Sequence, residues 1–308
     1  MLKYICKRVL MIIPVILGIT ILIYLILSLS PGNPARMMLG DSATEEEVLK
    51  LEEQLGLHDP LPIRYLRYMK NALCGDFGLS YRTKTPVFDE IFSRFPITLT
   101  LAVLGILIAV AIGIPIGIIS AVKRYSIFDY LGMLFTLLLT SMPGFWLGLL
   151  LMLLFAVQLD WLPATGANSW ACFILPAITI SSRTMAVIAR MTRTTMLEVN
   201  MQDYIRTARA KGASELRIIV HHALKNTLIP VITVVGMNFG SLLGGTVLIE
   251  AVFAMPGVGT LLVNAIRTKD IPVVMGATMF IAVCFSLINL LVDVLYSFID
   301  PRIRSQYR

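Results

Sequence analysis

Charge is scarce in this sequence. Only 15% of its 308 residues are Asp, Glu, Lys or Arg, against about 25% in soluble domains. That shortage argues against a soluble enzyme, a disordered regulator and a coiled coil, each of which depends on solvated charge. Four cysteines make no disulfide framework. The three histidines, His58, His221 and His222, fall at no metal-binding spacing with them. No Gly-Lys dipeptide occurs, so there is no phosphate loop of the G-x-x-x-x-G-K-[ST] kind. H-E-x-x-H and the nucleophile elbow G-x-S-x-G are missing too. Catalysis therefore has no visible seat, and we expect no catalytic residue, bound cofactor or metal on this chain. What is abundant is apolar: 57% of residues are hydrophobic, and mean hydropathy is +0.81. The chain reads as an integral membrane protein.

The hydrocarbon core takes about 20 apolar residues per helix. Six stretches qualify: Val9–Leu29, Ile97–Val122, Leu131–Leu159, Trp170–Ile188, Leu228–Leu248 and Ile271–Ile299. None shows the alternation of a barrel strand. The expected fold is all-α with six transmembrane helices. Three regions follow: 1–29 with the first span, 30–96 outside the membrane, and 97–308 as a five-helix core with an inner loop at 190–227. The first span exceeds a normal signal-peptide core and lacks an A-x-A site, so we expect it to be retained.

Lys and Arg in the short connections set the orientation. With the amino terminus in the cytosol, inner segments carry Lys3, Lys7 and Arg8, then Lys123 and Arg124, seven more from Arg190 to Lys225, and Arg302, Arg304 and Arg308. The short outer loops carry Arg267 and Lys269. The expected topology is N-in, C-in, in a multi-pass protein. The net charge of +7 is then a topology signal, and no nucleic-acid partner is implied.

The outer segment has helix signals of its own. Thr44 and Glu47 form a capping box ahead of Val48, Leu51 and Leu55, and Gly56 ends that helix. Asp59-Pro60 opens a second helix, in which Ile63, Leu66, Met69 and Leu73 recur at helical spacing. Thr85-Pro86 starts a third, leading into the second span. The segment reads equally as a lid packed on the spans or as a docking surface. Cys74 and Cys172 both fall on the outer side, where pairing is chemically allowed but no spacing supports it.

The inner loop holds the densest pattern. Asn200 is a cap for a helix with Asp203 in its first turn; Lys211 suits its last turn and Gly212 a left-handed stop. Ser214 caps the next helix, with Glu215 in its first turn. Leu216, Val220, Ala223 and Thr227 then follow one face toward span five. Ala208, Ala210 and Ala213 leave room near the corner for a close partner.

Asp203-Tyr204-Ile205-Arg206-Thr207-Ala208-Arg209-Ala210-Lys211-Gly212 resembles the coupling-helix signature of inner-membrane permeases of ABC importers, specifically the peptide-importer group. The general signature has E-A-A, three residues and Gly. Arg206-Thr207-Ala208 with Gly212 keeps that frame but replaces Glu and the first Ala. The later I-x-L-P frame falls on His222-Ala223-Leu224-Lys225, and Pro230 comes five residues further on. Further similar blocks are Pro31-Gly32-Asn33-Pro34, Gly75–Ser80, Trp161-Leu162-Pro163, Glu250-Ala251-Val252-Phe253, Pro256–Gly259, Asp293–Tyr296 and Asp300-Pro301-Arg302. The resemblance covers the whole chain and looks like the first permease of a pair. It implies the type I importer fold in a bacterial or archaeal cytoplasmic (inner) membrane. It also implies a second homologous permease, two cytosolic ATPase subunits holding ATP and Mg, and an extracytoplasmic peptide-binding protein. The same group handles glutathione and nickel complexes. A stand-alone channel or secondary transporter is the rival class, but no internal repeat supports it.

Within the spans, Gly236, Gly240 and Gly244 share one face of span five, and Gly113 and Gly117 do so in span two. Such faces serve static packing or a sliding, pathway-lining contact. Pro143-Gly144 interrupts span three. Arg183 and Asp293 are charges inside spans, and Asn289 shares a face with Asp293; they read as inner-side contacts or as a gating element.

Overall fold

The computed structural model describes residues 2–29, 33–40 and 43–299, without the side chains of residues 2–9, 293 and 295–299. The side chains of Lys3, Lys7, Arg8 and Asp293, and the blocks Pro31-Gly32 and Asp300-Pro301-Arg302, lie outside the described residues. Every extended apolar run becomes a helix. The first is α1 (Leu2–Leu29), followed by three short helices, α2 (Pro34–Leu39), α3 (Glu45–Leu55) and α4 (Leu61–Leu73). Next come α5 (Val87–Val122), α6 (Ile127–Ser141), α7 (Gly144–Met152) and α8 (Ala171–Asn200). The inner connection holds α9 (Asp203–Ala210) and α10 (Glu215–Arg217), and α11 (Leu224–Val252), α12 (Val258–Arg267) and α13 (Ile271–Ile299) complete the chain. Among the described residues, five helices are long and apolar enough to cross a membrane. A sixth span results if the pair Ile127–Ser141 and Gly144–Gln158 counts as one. That pair bends by 105° at Met142-Pro143, where proline removes an amide donor and blocks the preceding turn.

The bundle is built around α8, whose apolar stretch is the most buried of the spans. α5 lies closest to it because its facing side carries almost no side chain. Gly105, Ala109, Gly113 and Gly117 recur every four residues. A Cβ on Gly113 would come 2.8 Å from the Met185 carbonyl, and one on Gly117 2.5 Å from that of Ala189. Two helix backbones thus meet over a small-residue seam, as dispersion packing in lipid favours. Along the other side of α8 the buried hydroxyls of Thr179 and Ser182 bond back to their own helix, which removes their cost in an apolar setting.

The outer segment follows its caps. Thr44 and Glu47 close the capping box, and Gly56 and Gly75 end α3 and α4 at φ +62° and +85°. Pro60 lies one position earlier than expected, as the N-cap, with Pro62 inside the first turn. The third outer helix is no separate element, since α5 runs unbroken from Val87 through the membrane. A buried carboxylate ties this segment to the core: Asp270 accepts from Ser80 Oγ at 2.5 Å and from the Tyr81 amide at 3.1 Å. Cys74 and Cys172 are both free, Cys74 exposed and Cys172 buried.

Candidate functional site

Below the bundle, α8 runs on from Ile188 to Asn200 and the chain turns through α9, a glycine corner and α10 into α11. One residue anchors this element. Ile205 is fully buried against Met196, Val199, Ile218, Ala223 and Ala121. Burying an isoleucine contributes about 1.5–3 kcal/mol, ample to hold an eight-residue helix too short to persist alone. Sequence reading passed over Ile205. Its signal was available as the one large aliphatic side chain between Asp203 and Lys211.

The corner closes as predicted in outline. Gly212 sits at φ +82°. The Ala213 amide reaches back to the Ala208 carbonyl (3.2 Å) and the Gly212 amide to that of Arg209 (2.9 Å). This is the paired bonding of a Schellman motif. The caps differ from expectation. Asn200 is the last residue of α8, and Gln202 takes the N-cap position of α9 without a side-chain bond. Ser214 occupies the N-cap position of α10 but its hydroxyl accepts no cap bond. Exposed Asp203 instead supplies the negative charge that the first turn favours, and its carbonyl accepts from Thr207 Oγ1 at 2.9 Å.

Two further expectations change. Leu216 and Val220 are exposed at 73% and 47%, while Ile218, Ala223 and Thr227 are buried. The reason is a wide π turn over Ile218–Ala223, whose extra residue per turn rotates the buried face out of the simple 3.6 register. Ala208, expected against a partner, is half-buried against this chain's own Ile205 cluster. Arg209 forms a forked ion pair with Glu215, at 2.7 and 3.1 Å across the corner. That pairing holds the Glu215 carboxyl below its ordinary value and raises the Arg209 guanidinium. Tyr204 Oη accepts from Asn226 Nδ2 at 2.7 Å, lashing α9 to the base of α11. The surface left free runs through Asp203, Arg206, Thr207, Ala210 and Lys211, all exposed. Its chemistry is a ridge of mixed charge around a small central residue, presented on a pinned helix.

The intramembrane candidates do not converge on one place. Gly236 packs directly on Val292 of α13, and Gly240 faces Asn289 at 3.1 Å from where a Cβ would lie. Gly244 meets nothing within 4 Å. Asn289 Nδ2 bonds to its own helix at the Phe285 carbonyl, 3.0 Å away. Arg183 is exposed on α8, and Pro143 marks the α6–α7 break.

Two buried polar centres escaped the sequence reading. Glu250, wholly buried near the end of α11, accepts from Thr98 Oγ1 (2.7 Å) and from the amides of Gly259 (2.7 Å) and Thr260 (3.1 Å). Thr98 Oγ1 in turn accepts from the Val258 amide at 2.9 Å. A distant carboxyl thus caps the start of α12. Gly257 and Gly259 allow this approach, because a Cβ at either would collide with that carboxyl group. Asp129, 3% exposed at the start of α6, forms a forked pair with Arg193 of α8 at 2.7 and 2.8 Å. Both acids lie just beyond the uncharged runs, where apolar periodicity carries no sign of burial.

Comparison with known proteins decides the lineage. Residues 113–305 match the model of the binding-protein-dependent transport system inner membrane component. Residues 1–102 match the amino-terminal model of such membrane components. The chain belongs to this family. It is 43% identical to a dipeptide transport system permease protein of Alkalihalophilus pseudofirmus, over 99% of this chain and 100% of that one. It is 44% identical to a glutathione transport system permease protein of Salmonella typhimurium, over 99% of each. Its fold resembles a solved inward-facing methionine ABC transporter (TM-score 0.58, 16% identity, 68% of this chain and 96% of that one). An amino acid ABC transporter aligns at TM-score 0.52 with 14% identity, over 70% of this chain and 94% of that one. The all-helical permease architecture of type I ABC importers is therefore the fold of this family member.

Proposed function

We propose that this chain is one of two permease subunits of an ATP-driven importer carrying di- or oligopeptides across the cytoplasmic membrane. Chemistry resides in separate ATPase subunits, and an external binding protein delivers the substrate. The observation that carries the reading is the pinned inner helix. Ile205, the Tyr204–Asn226 bond and the glycine corner fix α9 to α8 and α11. Asp203, Arg206, Thr207 and Ala210 are left facing outward. A helix held this way passes a push from a partner into two spans without absorbing it, which is how a ligand-driven closure becomes a rigid-body movement.

Ala210 tests the coupling role, being exposed and at the centre of the ridge. Ala210→Glu adds bulk and charge where a groove would close, yet touches nothing in this chain's core. We expect normal membrane levels, with peptide uptake and peptide-stimulated ATPase activity falling together by at least tenfold. Uptake near wild type would refute the docking face. The glutathione reading is supported by relatives of that name from Salmonella and Escherichia, 44% identical to this chain. Uptake by the reconstituted complex, measured with a labelled dipeptide and with labelled glutathione side by side, separates the two substrates.

A further inference from the structure

α4 is built inside out. Ile63, Leu66 and Leu73, which share its apolar stripe, are exposed at 49%, 65% and 84%. Arg64, Tyr65 and Tyr68, all part-buried, turn inward instead. Arg64, Tyr68 and Asn71 line a cavity of about 310 Å³ shared with Tyr24, Tyr81 and Ile271. Tyr65 stacks edge-on with Tyr24 at 5.6 Å. A helix in water has no reason to choose this arrangement, because reversing it would bury three large aliphatic side chains. The arrangement is favourable if the medium outside α4 is itself apolar.

Depth supports that reading. Tyr65 Oη lies 2.8 Å from Thr20 Oγ1, and Thr20 sits nine residues before the end of α1 at Leu29. At 1.5 Å rise per residue, that contact is about 13 Å below the last apolar turn of α1. A tyrosine side chain reaches only about half that distance, so the Tyr65 end of α4 lies beside the span and below its rim. Lys70, seven residues after Ile63, rises from the exposed face itself, where its long stem carries the charge to the headgroups, and Arg67 borders that face, paired with Asp59 at 2.6 Å. Basic residues bordering an apolar face are the usual signature of a helix lying in the headgroup boundary.

We propose that α4 is an interfacial helix, its Ile63–Leu66–Leu73 face seated in the lipid leaflet at the carboxyl end of α1. The outer segment is then moored to the bilayer as well as to the core through Asp270. The test uses the whole complex in lipid vesicles. Nitroxide labels are placed at Leu66→Cys and at Lys50→Cys, the latter on exposed α3, in a background with the native cysteines replaced by alanine. The expected result is that the label at position 66 collides with oxygen several-fold more often than with a water-soluble nickel chelate, while position 50 shows the reverse. A label at 66 as open to the chelate as the one at 50 overturns the proposal in favour of a water-facing stripe. A label at 66 immobile and closed to both quenchers overturns it in favour of a partner protein. Hydroxyl-radical footprinting of the unsubstituted complex in vesicles checks this without any variant. Leu66 and Leu73 should be several-fold less oxidised than Leu49 of α3, which is 57% exposed. Equal oxidation refutes lipid contact.

Discussion

The corners before and after the continuous span Glu215–Val252 turn the chain in the same way and for opposite purposes. At the inner end, the Ala213 amide bonds back to the Ala208 carbonyl with Gly212 at φ +82°. At the outer end, the Met255 amide bonds back to the Glu250 carbonyl at 2.9 Å with Ala254 at φ +48°. The first corner is open and charged, with Arg209 and Glu215 paired in water. The second is buried, with the Glu250 carboxyl satisfied by a hydroxyl and two amides. One backbone device thus serves as a handle where a partner must reach it and as a weld where two spans must not shift. The surrounding dielectric sets the difference: an ion pair in water contributes little, whereas a polar group in the core is costly to leave unpaired.

The largest effect should come from removing the buried weld. Glu250→Ala strands Thr98 Oγ1 and the Gly259 and Thr260 amides in an apolar region. Each orphaned donor costs about 1–3 kcal/mol. We expect the purified complex to lose several degrees of thermal midpoint, and residues 253–270 to become protease-sensitive. A midpoint within one degree of wild type would show that α12 does not depend on this carboxyl group.

Next comes the anchor of the open corner. Ile205→Ala leaves a cavity among Met196, Ile218 and Ala223, at a cost of about 2–4 kcal/mol. This should surface locally, because α9 can loosen while the spans stay folded. Amide exchange over 203–213 should accelerate at least tenfold, with uptake and ATPase stimulation lost together and the thermal midpoint of the complex little changed. Slow exchange and full coupling in this variant would remove Ile205 from the coupling path.

The αL positions allow a reciprocal exchange of small size. Nothing lies within 4 Å of a Cβ built on Gly212, so Gly212→Ala carries only the conformational cost of a left-handed alanine, about 1 kcal/mol. Ala254→Gly should release a similar strain, offset in part by the freer unfolded chain. Exchange at 203–213 should rise a few-fold in the first variant, and exchange at 253–258 should stay level or fall in the second. Both moving in the same direction would break the parallel between the corners.

The sequence carried much of this, unevenly. Long uncharged runs, the Thr44 capping box and the glycine at 212 were all readable, because each rests on local chemistry. The break at Pro143-Gly144 was readable for the same reason. What failed was tertiary. The π turn at Ile218–Ala223 has no local signature, so the face of Leu216 and Val220 was misplaced. Ala208 was assigned outward because helical spacing alone cannot say which side a fold covers. Glu250 and Asp270 find the hydroxyls of Thr98 and Ser80 about 150 and 190 residues away, beyond any periodicity. The α4 stripe was read correctly as apolar, but only the fold shows which way it faces.

The smallest effect belongs to the exposed pair across the open corner. Arg209 holds the Glu215 carboxyl below its ordinary value through the forked bond. A carboxyl depressed in the folded state contributes stability above its unfolded pKa and loses that contribution as pH falls through its folded pKa. Amide protection at Ala213, corrected for the intrinsic exchange rate, should therefore hold from neutral pH down to the ordinary carboxylate pKa and decline as pH falls through and below it. In Arg209→Ala protection should be lower at neutral pH and this decline absent, because the Glu215 carboxyl is no longer depressed on folding. Because both groups face solvent, uptake at neutral pH should change by less than about twofold. A large loss of uptake in Arg209→Ala, with the corner's exchange unchanged, would mean that the guanidinium meets the ATPase partner directly and that its pairing with Glu215 is exchanged on assembly.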